Sequence, residues 1–406
     1  MIRGKNTVLG IIFLICSISL VSGCIRQSGE NLTVAMSLAE KEWEVIRREV
    51  FSRFEKETGI KVRAYQIESG ELATKLRALQ KAGKSEIDLF AQDNMSLAPL
   101  VTQDLVWDIS DHRKDIPPEV LPNLVRACTF GGKLFFMPFR PNVQITYINK
   151  EAFERYGLEK PRTWEELYRV ARIFKEKEGV GRVVMKAYGG NATATQIYEF
   201  ILQAGGDPYA FNDGGCIRAF SFLQRLKPYL SPESKRAKWD TVNTILARQE
   251  AYLASNWPFG VLILVEDYGL DFIDTYSGWS GPAGEKHVIG GDVFGIPANA
   301  RNKGRALEFI AFTQRRDIQQ ILVSKLGWPS IREDAYTGVP EWQRGHFDSV
   351  KKALQKGVFR ENVPWWPAYK KYIVRAFNDI VMDGADVRGT LNDYKMKLEK
   401  DKKLYQ

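Results

Sequence analysis

The sequence predicts an α/β protein with two domains. Strand-like and helix-like segments alternate from residue 32 onward, and that order gives a mainly parallel sheet joined by right-handed crossovers. The chain has 406 residues, more than one hydrophobic core usually serves. Its 44% hydrophobic and 26% charged residues are typical of a globular protein.

The first element is an export signal at residues 1–23. Arg3 and Lys5 precede an apolar run at residues 7–21 that is too short to span a bilayer comfortably. The run ends at Leu20-Val21-Ser22-Gly23-Cys24, which resembles the lipobox of bacterial and archaeal lipoproteins. The resemblance implies a lipid on Cys24 and a position on the extracytoplasmic face of the membrane. An ordinary N-terminal membrane anchor is the alternative.

The next five elements follow a strand–helix–strand–helix–strand order. Apolar residues at helical spacing lie between β-rich runs, and Gly59 and Gly83 each follow a helix-like segment. The predicted strands are residues 32–38, 61–67 and 87–91, and the helix faces are Trp43, Ile46, Val50 and Phe54, then Leu72, Leu76 and Leu79. Sheets of this kind bind ligands at the carboxyl ends of their strands, so we expect the loops at residues 39–42 and 92–96 to matter.

We expect the same organisation in the rest of the chain. Residues 131–147 supply two strand-like runs, and Thr163 with Glu166 predicts a capping box opening a helix through Lys175. No low-complexity linker or repeat occurs. The chain therefore passes between the domains through extended segments, which can act as hinges.

Several functional classes lack their sequence signals. The formal charge of +9 is spread among interspersed acids, which favours a solvated surface over a nucleic-acid site. The three histidines are far apart and no metal-ligand spacing occurs, so we expect no metal or cofactor. No catalytic motif is present either, although two carboxylates of a glycoside-acting enzyme could still converge across a cleft. Cys128 and Cys216 are too isolated for a disulfide framework, and we expect free thiols.

Five segments in order resemble family 1 extracellular solute-binding proteins, the sugar-binding subunits of ABC importers. Residues 54–62 read FEKETGIKV, and residues 132–138 with 147–150 resemble the family's GKLYGIP and YNK block. The others are PRTWEEL at residues 161–167, IGGD at residues 289–292 and GWP at residues 327–329. The likeness covers nearly the whole chain after the signal.

The resemblance implies a two-lobed periplasmic-binding-protein-like fold of type II, with the ligand in the interlobe cleft. One lobe would hold residues 25–141 and 291–330, the other residues 142–290 and 331–406. It also implies a monomer that binds a small carbohydrate, closes by hinge motion and docks on permease subunits, with no enzymatic activity. A surface adhesion lipoprotein on the same fold is an alternative.

A neutral sugar requires polar groups for its hydroxyls and aromatic rings for its faces. The resemblance places the polar candidates in the first strand-to-helix loop, after the third strand, and on the first and second crossing segments: Glu40, Asp93, Asn94, Arg140, Asn142, Gly291 and Asp292. Asp292 stands where many relatives carry Trp. Asp93 could instead cap the next helix, Glu40 could favour a helix N-terminus, and Arg140 could bridge to an acid.

Trp257, in the segment SNWPF, is the main aromatic candidate, and Trp365 is the second. Many relatives have Arg before the Pro-x-x-Pro pattern, whereas this chain has Val363. Each ring, and Trp43 with them, could equally pack in a core. A di- or oligosaccharide suits this mixture best, while a monosaccharide, a glycerol phosphodiester and a polyamine stay open as ligands.

Overall fold

The computed structural model describes residues 31–68 and 70–405. The predicted signal peptide and Cys24 lie outside the described residues. In the described part, no helix is both long and apolar enough to cross a membrane.

Strands and helices alternate along the described chain. The strands are β1 (Asn31–Met36), β2 (Lys61–Gln66), β3 (Leu89–Asp93), β4 (Thr129–Phe130), β5 (Lys133–Leu134), β6 (Phe136–Val143), β7 (Ile145–Asn149), β8 (Val183–Val184), β9 (Leu253–Asn256), β10 (Ile273–Tyr276), β11 (Ser280–Gly281), β12 (Gly284–Glu285), β13 (His287–Gly295) and β14 (Gly357–Phe359). The helices are α1 (Glu40–Val45), α2 (Ser52–Thr58), α3 (Leu72–Lys81), α4 (Ala98–Thr102), α5 (Pro122–Ala127), α6 (Lys150–Arg155), α7 (Trp164–Glu178), α8 (Gly190–Gln203), α9 (Gly214–Leu226), α10 (Thr241–Ala247), α11 (Lys303–Thr313), α12 (Arg316–Leu326), α13 (Glu341–Gln355), α14 (Trp366–Phe377) and α15 (Val387–Lys402).

The first sheet has the strand order β14-β13-β3-β1-β2, with β6 also paired to β13. β1 pairs in parallel with β2 and β3, as the strand–helix order predicts. The helix between β1 and β2 consists of α1, a π-helical segment (Ile46–Phe51) and α2. It ends at Gly59, whose φ of 75° is the left-handed conformation that glycine adopts at little cost.

The second sheet has the order β10-β7-β9-β8 and differs from the expectation of parallel strands. β7 runs antiparallel to both β9 and β10, and only β8 and β9 are parallel. Only Gln144 separates β6 from β7, so the chain passes directly from the first sheet into the second.

The capping box at α7 forms only in part. The Thr163 hydroxyl accepts a hydrogen bond from the Glu166 amide at 3.2 Å, as predicted. The Glu166 carboxylate accepts from the Arg162 amide at 2.6 Å instead of the amide of Thr163 itself. The helix continues to Glu178, beyond Lys175.

Two main hydrophobic cores lie beside the two sheets, and a third cluster lies between them. The passage from one to the other is visible along β13, where Val288 belongs to the second core, Ile289 to the third cluster and Val293 to the first core. Cys128 is buried in the first core and Cys216 in the second, both as free thiols.

Candidate functional site

Two strands meet end to end beside β13. β3 is antiparallel to β13 and ends with Asp93 opposite Asp292, whereas β14 is parallel to β13 and ends with Phe359 opposite Ile289. The carboxyl ends of β3 and β14 therefore face each other across Gly290 and Gly291. Loops that follow strands at such an edge are where α/β sheets bind ligands.

Hydrogen bonds join the two strand ends. The Asn94 side-chain amide donates to the Ile289 carbonyl at 3.2 Å, and the Arg360 guanidinium donates through Nη2 to the Met95 carbonyl at 3.1 Å. The predicted residues Asp93 and Asn94 are thus brought next to Arg360.

The two glycines of β13 have different roles. A Cβ on Gly291 would lie 2.0 Å from the Arg140 carbonyl, and its φ is 101°. A Cβ on Gly290 would lie 3.1 Å from Cη2 of Trp257. Gly290 thus lets the Trp257 ring lie directly on the backbone of β13.

Trp257 is only 6% exposed in this conformation. Its ring meets that of Trp239 at a centroid distance of 5.5 Å, and its carbonyl accepts a hydrogen bond from the Tyr147 hydroxyl at 2.6 Å. The structure thus places the main aromatic candidate against the backbone of β13.

One ionic cluster joins α1, β6, β13 and Trp328 of the GWP segment at residues 327–329. Arg140 of β6 donates through Nη1 to Glu42 Oε1 at 3.0 Å, pairs with Asp292 of β13, and lies 4.2 Å above the ring centroid of Trp328. The Trp328 indole donates to the same Glu42 oxygen at 2.9 Å. Burial opposes the charge on Arg140, but Asp292 and Glu42 outweigh it and raise the pKa of the guanidinium.

Glu42 was missed by the sequence reasoning, which chose Glu40 from the same turn. Glu40 is exposed at the start of α1. Glu42 lies two residues further on and also accepts a hydrogen bond from the Ala39 amide at 2.8 Å. The structure thus shows Arg140 bridging to acids, the alternative that the sequence left open.

Asp93 is half-buried and acts as a cap. Its Oδ1 accepts a hydrogen bond from the Met95 amide at 2.7 Å. Burial, followed by the charge of nearby Asp292, raises the pKa of Asp93 to about 6.

Asn142 lies in β6. Its Oδ1 accepts a hydrogen bond from the Val143 amide at 3.1 Å, which leaves its amide nitrogen to other partners.

Arg360 is the second residue that the sequence reasoning missed. It is 5% exposed, its guanidinium carbon lies 3.4 Å from the ring centroid of Trp366, and burial lowers its pKa. Its Nε and Nη1 are buried and have no hydrogen-bond partner among the described residues. No motif that the sequence analysis quoted contains Arg360, which lies three residues before Val363.

Trp365 lies apart from this group. It is half-buried, packs edge-on against Tyr209 at 4.7 Å and lies under Lys402, whose Nζ is 4.2 Å from its ring centroid. The neighbouring Trp366 is the ring that contacts Arg360. Trp43 packs in the first core and donates to Gln66 at 2.7 Å.

The described side chains offer polar and aromatic contacts but no assembled metal site. Within residues 31–68 and 70–405, no three His, Cys, Asp or Glu side chains converge on a common point. The groups at the junction of β3, β13 and β14 are donors, acceptors and rings, which suit a small polar ligand with apolar faces.

Comparison with known proteins identifies a matching protein family and several similar solved structures. Residues 40–320 match the model of the bacterial extracellular solute-binding protein family. The structure is similar to maltose-bound MalE3 of T. maritima, with 19% identity over 91% of this chain and 99% of that one and a TM-score of 0.77. It is also similar to the cyclic α-maltosyl-1,6-maltose binding protein of Arthrobacter globiformis (18% identity, 92% and 99% covered, TM-score 0.78).

A third similar structure is an ABC transporter solute-binding protein of Agrobacterium radiobacter in complex with ribitol (18% identity, 91% and 98% covered, TM-score 0.75). The two-lobed type II fold predicted from the sequence is confirmed, and so is the resemblance to the sugar-binding subunits of ABC importers. At these identities the structural likeness shows the fold, and the bound ligands differ among the three proteins.

Proposed function

Because the chain belongs to the bacterial extracellular solute-binding protein family, we propose that it captures a neutral di- or oligosaccharide and delivers it to the permease of an ABC importer. The observation that carries this proposal is the meeting of Asp93 and Arg360 across Gly290 and Gly291. A carboxylate that accepts and a guanidinium with two unused N–H groups can together satisfy neighbouring sugar hydroxyls, which both donate and accept.

The balance of charge favours a neutral ligand. Arg140 is already paired with Glu42 and Asp292, so neither its charge nor theirs is free for a charged ligand. Asp93 adds one negatively charged group and Arg360 adds one positively charged group. A glycerol phosphodiester would need an excess of cations, and a polyamine would need several free carboxylates, so both alternatives are weaker.

We assign the ligand contacts by position. Asp93, Arg360 and Asn142 would bind hydroxyls, Asn94 would hold the strand ends, and Trp257 would cover a ring face of the sugar. Gly291 and Asp292 would shape the floor, and Arg140 would hold Asp292. Glu40 and Trp365 lie at the edge of this arrangement and could contact only the outer parts of a longer ligand.

The lobe boundaries and the anchor belong to the same proposal. Residues 25–141 and 291–330 would form one lobe, and residues 142–290 and 331–406 the other. A lipid on Cys24 would hold a monomer at the extracytoplasmic face of the membrane, beside its permease. The protein would bind its sugar without converting it.

A sugar panel followed by calorimetry tests the proposal. Thermal-shift screening finds the sugar, because a ligand that binds only the folded state raises the melting temperature. We expect Trp257→Ala, Asp93→Ala and Arg360→Gln each to weaken binding by roughly ten- to a hundredfold, about 1–3 kcal/mol. Arg218→Gln is the control, since Arg218 also donates to a main-chain carbonyl, that of Ala204 at 2.8 Å, but is exposed and lies in α9, away from the candidate site.

Three results would contradict the proposal. Stabilisation by phosphodiesters or polyamines but by no sugar would replace the ligand class. Full affinity in all three site variants would move the site elsewhere. Chemical conversion of the bound sugar, followed by chromatography, would revive the glycoside-acting alternative.

A further inference from the structure

A buried lysine contacts the strand that leads to Trp257. Lys186 is 1% exposed and follows β8 by two residues. Its Nζ donates to Gln144 Oε1 at 2.7 Å and to the Ser255 carbonyl at 2.6 Å. These partners come from two different segments, so the ammonium group holds them together.

The two partners are the first crossing segment and the strand leading to Trp257. Gln144 is the single residue between β6 and β7, and Ser255 lies in β9, two residues before Trp257. In the second sheet, Ile145 is paired with Asn256. Lys186 thus contacts the residues next to both members of this pair, one on each strand.

The main chain of Lys186 is itself held in place. Its amide donates to Gln196 Oε1 at 2.9 Å, and its carbonyl accepts from the Thr193 hydroxyl at 2.8 Å. Both residues belong to α8. The lysine is therefore a fixed strut between α8 and the Gln144 and Ser255 segments.

A charged group at this depth is costly and needs a reason. Burial lowers the pKa of Lys186 to about 7, and the charge of Glu199 opposes that shift only in part. Both hydrogen-bond acceptors of Lys186 are uncharged. A core requires no such group, because an apolar side chain of similar length would avoid the desolvation of the amine.

We propose that Lys186 is a positioning residue for ligand binding, which holds the Ser255–Trp257 segment against the first crossing segment and so sets the Trp257 ring over Gly290. This inference rests on the proposed function for its effect on affinity. Its effect on the position of Trp257 does not depend on which ligand binds.

Lys186→Met tests the inference, because methionine keeps the apolar volume and removes the donors. We expect sugar binding at least about tenfold weaker, since the Gln144 and Ser255 oxygens lose their buried donor and Trp257 is released. In protein labelled with 5-fluorotryptophan, the ¹⁹F resonance of Trp257, assigned from Trp257→Phe, should shift or broaden. The resonance of Trp164, buried in the second core, should not.

Lys160→Met is the matched control. Lys160 also donates from Nζ to a main-chain carbonyl of the same sheet, that of Thr275 in β10 at 3.1 Å. This variant should leave the Trp257 resonance and the affinity unchanged. If Lys186→Met does not fold, Gln144→Met removes one partner of the same strut and should give a smaller shift of the same resonance.

The outcomes separate this inference from the proposed function. An unchanged Trp257 resonance with wild-type affinity in Lys186→Met would overturn the positioning role. Equal shifts of the Trp257 and Trp164 resonances would show a general structural role and would also overturn it. If the wild-type protein binds no sugar of the panel, the proposed function fails, and the ¹⁹F comparison still decides whether Lys186 positions Trp257.

Discussion

At the scale of single residues, the candidate site depends on two glycines, which have no side chain, as much as on its polar and aromatic residues. Gly290 leaves room for the Trp257 ring, and Gly291 leaves room for the Arg140 carbonyl. Both glycines lie on β13 between the ends of β3 and β14. A side chain at either position would push apart groups that the site brings together.

Gly291→Ala should therefore be strongly destabilising. The new Cβ would lie 2.0 Å from a main-chain oxygen, and the φ of 101° is one that alanine rarely adopts. We expect a loss on the order of 3 kcal/mol in the free energy of unfolding, measured by urea denaturation. Gly304→Ala is the control, because no atom lies within 4 Å of its Cβ position and it sits in α11. A Gly291→Ala protein as stable as Gly304→Ala would contradict the prediction.

At the scale of elements, β13 links the two sheets and carries a buried charge at its first residue. His287 Nε2 lies 2.9 Å from Glu285 Oε1, and Nδ1 lies 3.7 Å from Glu199 Oε1. Burial opposes the charge on His287, but the interactions with Glu199 and Glu285 outweigh it and raise its pKa to about 9. The imidazolium thus holds β13 to α8.

The contribution of His287 to the stability of the protein should fall as the pH rises toward 9. A histidine whose pKa is higher in the folded than in the unfolded protein stabilises the fold fully below about 6.5, and this contribution disappears as the pH passes 9. We expect the difference in free energy of unfolding between the wild type and His287→Gln to fall by about 2 kcal/mol over that range, measured by urea denaturation at several pH values. His287→Gln should remove this part of the pH dependence. An identical pH profile in the variant would exclude His287 as its source.

At the scale of the whole molecule, contacts join segments far apart in sequence across the cleft side. Lys41 in α1 pairs with Asp267 at 2.8 Å, and Arg360 contacts the Met95 carbonyl. The Lys41 pair is exposed, so it contributes at most about 1 kcal/mol. A ligand that bridges the same segments would add far more to closure.

We expect the cognate sugar to close the lobes. Residues 138–146, 289–297 and 327–332 would cross between the proposed lobes and allow a hinge motion, and the ligand would shift the population toward the closed form. Small-angle scattering should then report a smaller radius of gyration at saturating sugar. A saturating sugar that leaves the scattering profile unchanged would argue against hinge closure.

The proposed membrane anchor also belongs to the scale of the whole molecule. Cys24→Ser should block lipidation, because the proposed lipid would be attached through the thiol of that cysteine. We expect unprocessed or released protein, measured by detergent partitioning and membrane fractionation. A processed Cys24→Ser protein that stays fully in the membrane fraction would rule out the lipid anchor.

The sequence by itself determined β1, β2 and β3 with the helices between them, the family and the type II fold. These follow from local periodicity, glycine stops and short motifs, each contained within a few neighbouring residues. The same local signals also identified Asp93, Arg140, Asn142 and Trp257 as candidates. Whether they contact a ligand stays a prediction.

Only the tertiary structure decided which side chains and which strands contact one another. Three findings depend on where distant segments meet. Arg140 pairs with Glu42 and not with Glu40, and Arg360 lies on the ring of Trp366 and not on that of Trp365. β7 enters the second sheet antiparallel to β9 and β10. Arg140 and Asp292 are 152 residues apart, yet their pairing sets which polar groups stay free. Periodicity assigns a residue to a face of its own helix or strand, whereas charge pairing and burial depend on contacts between segments that no local pattern encodes.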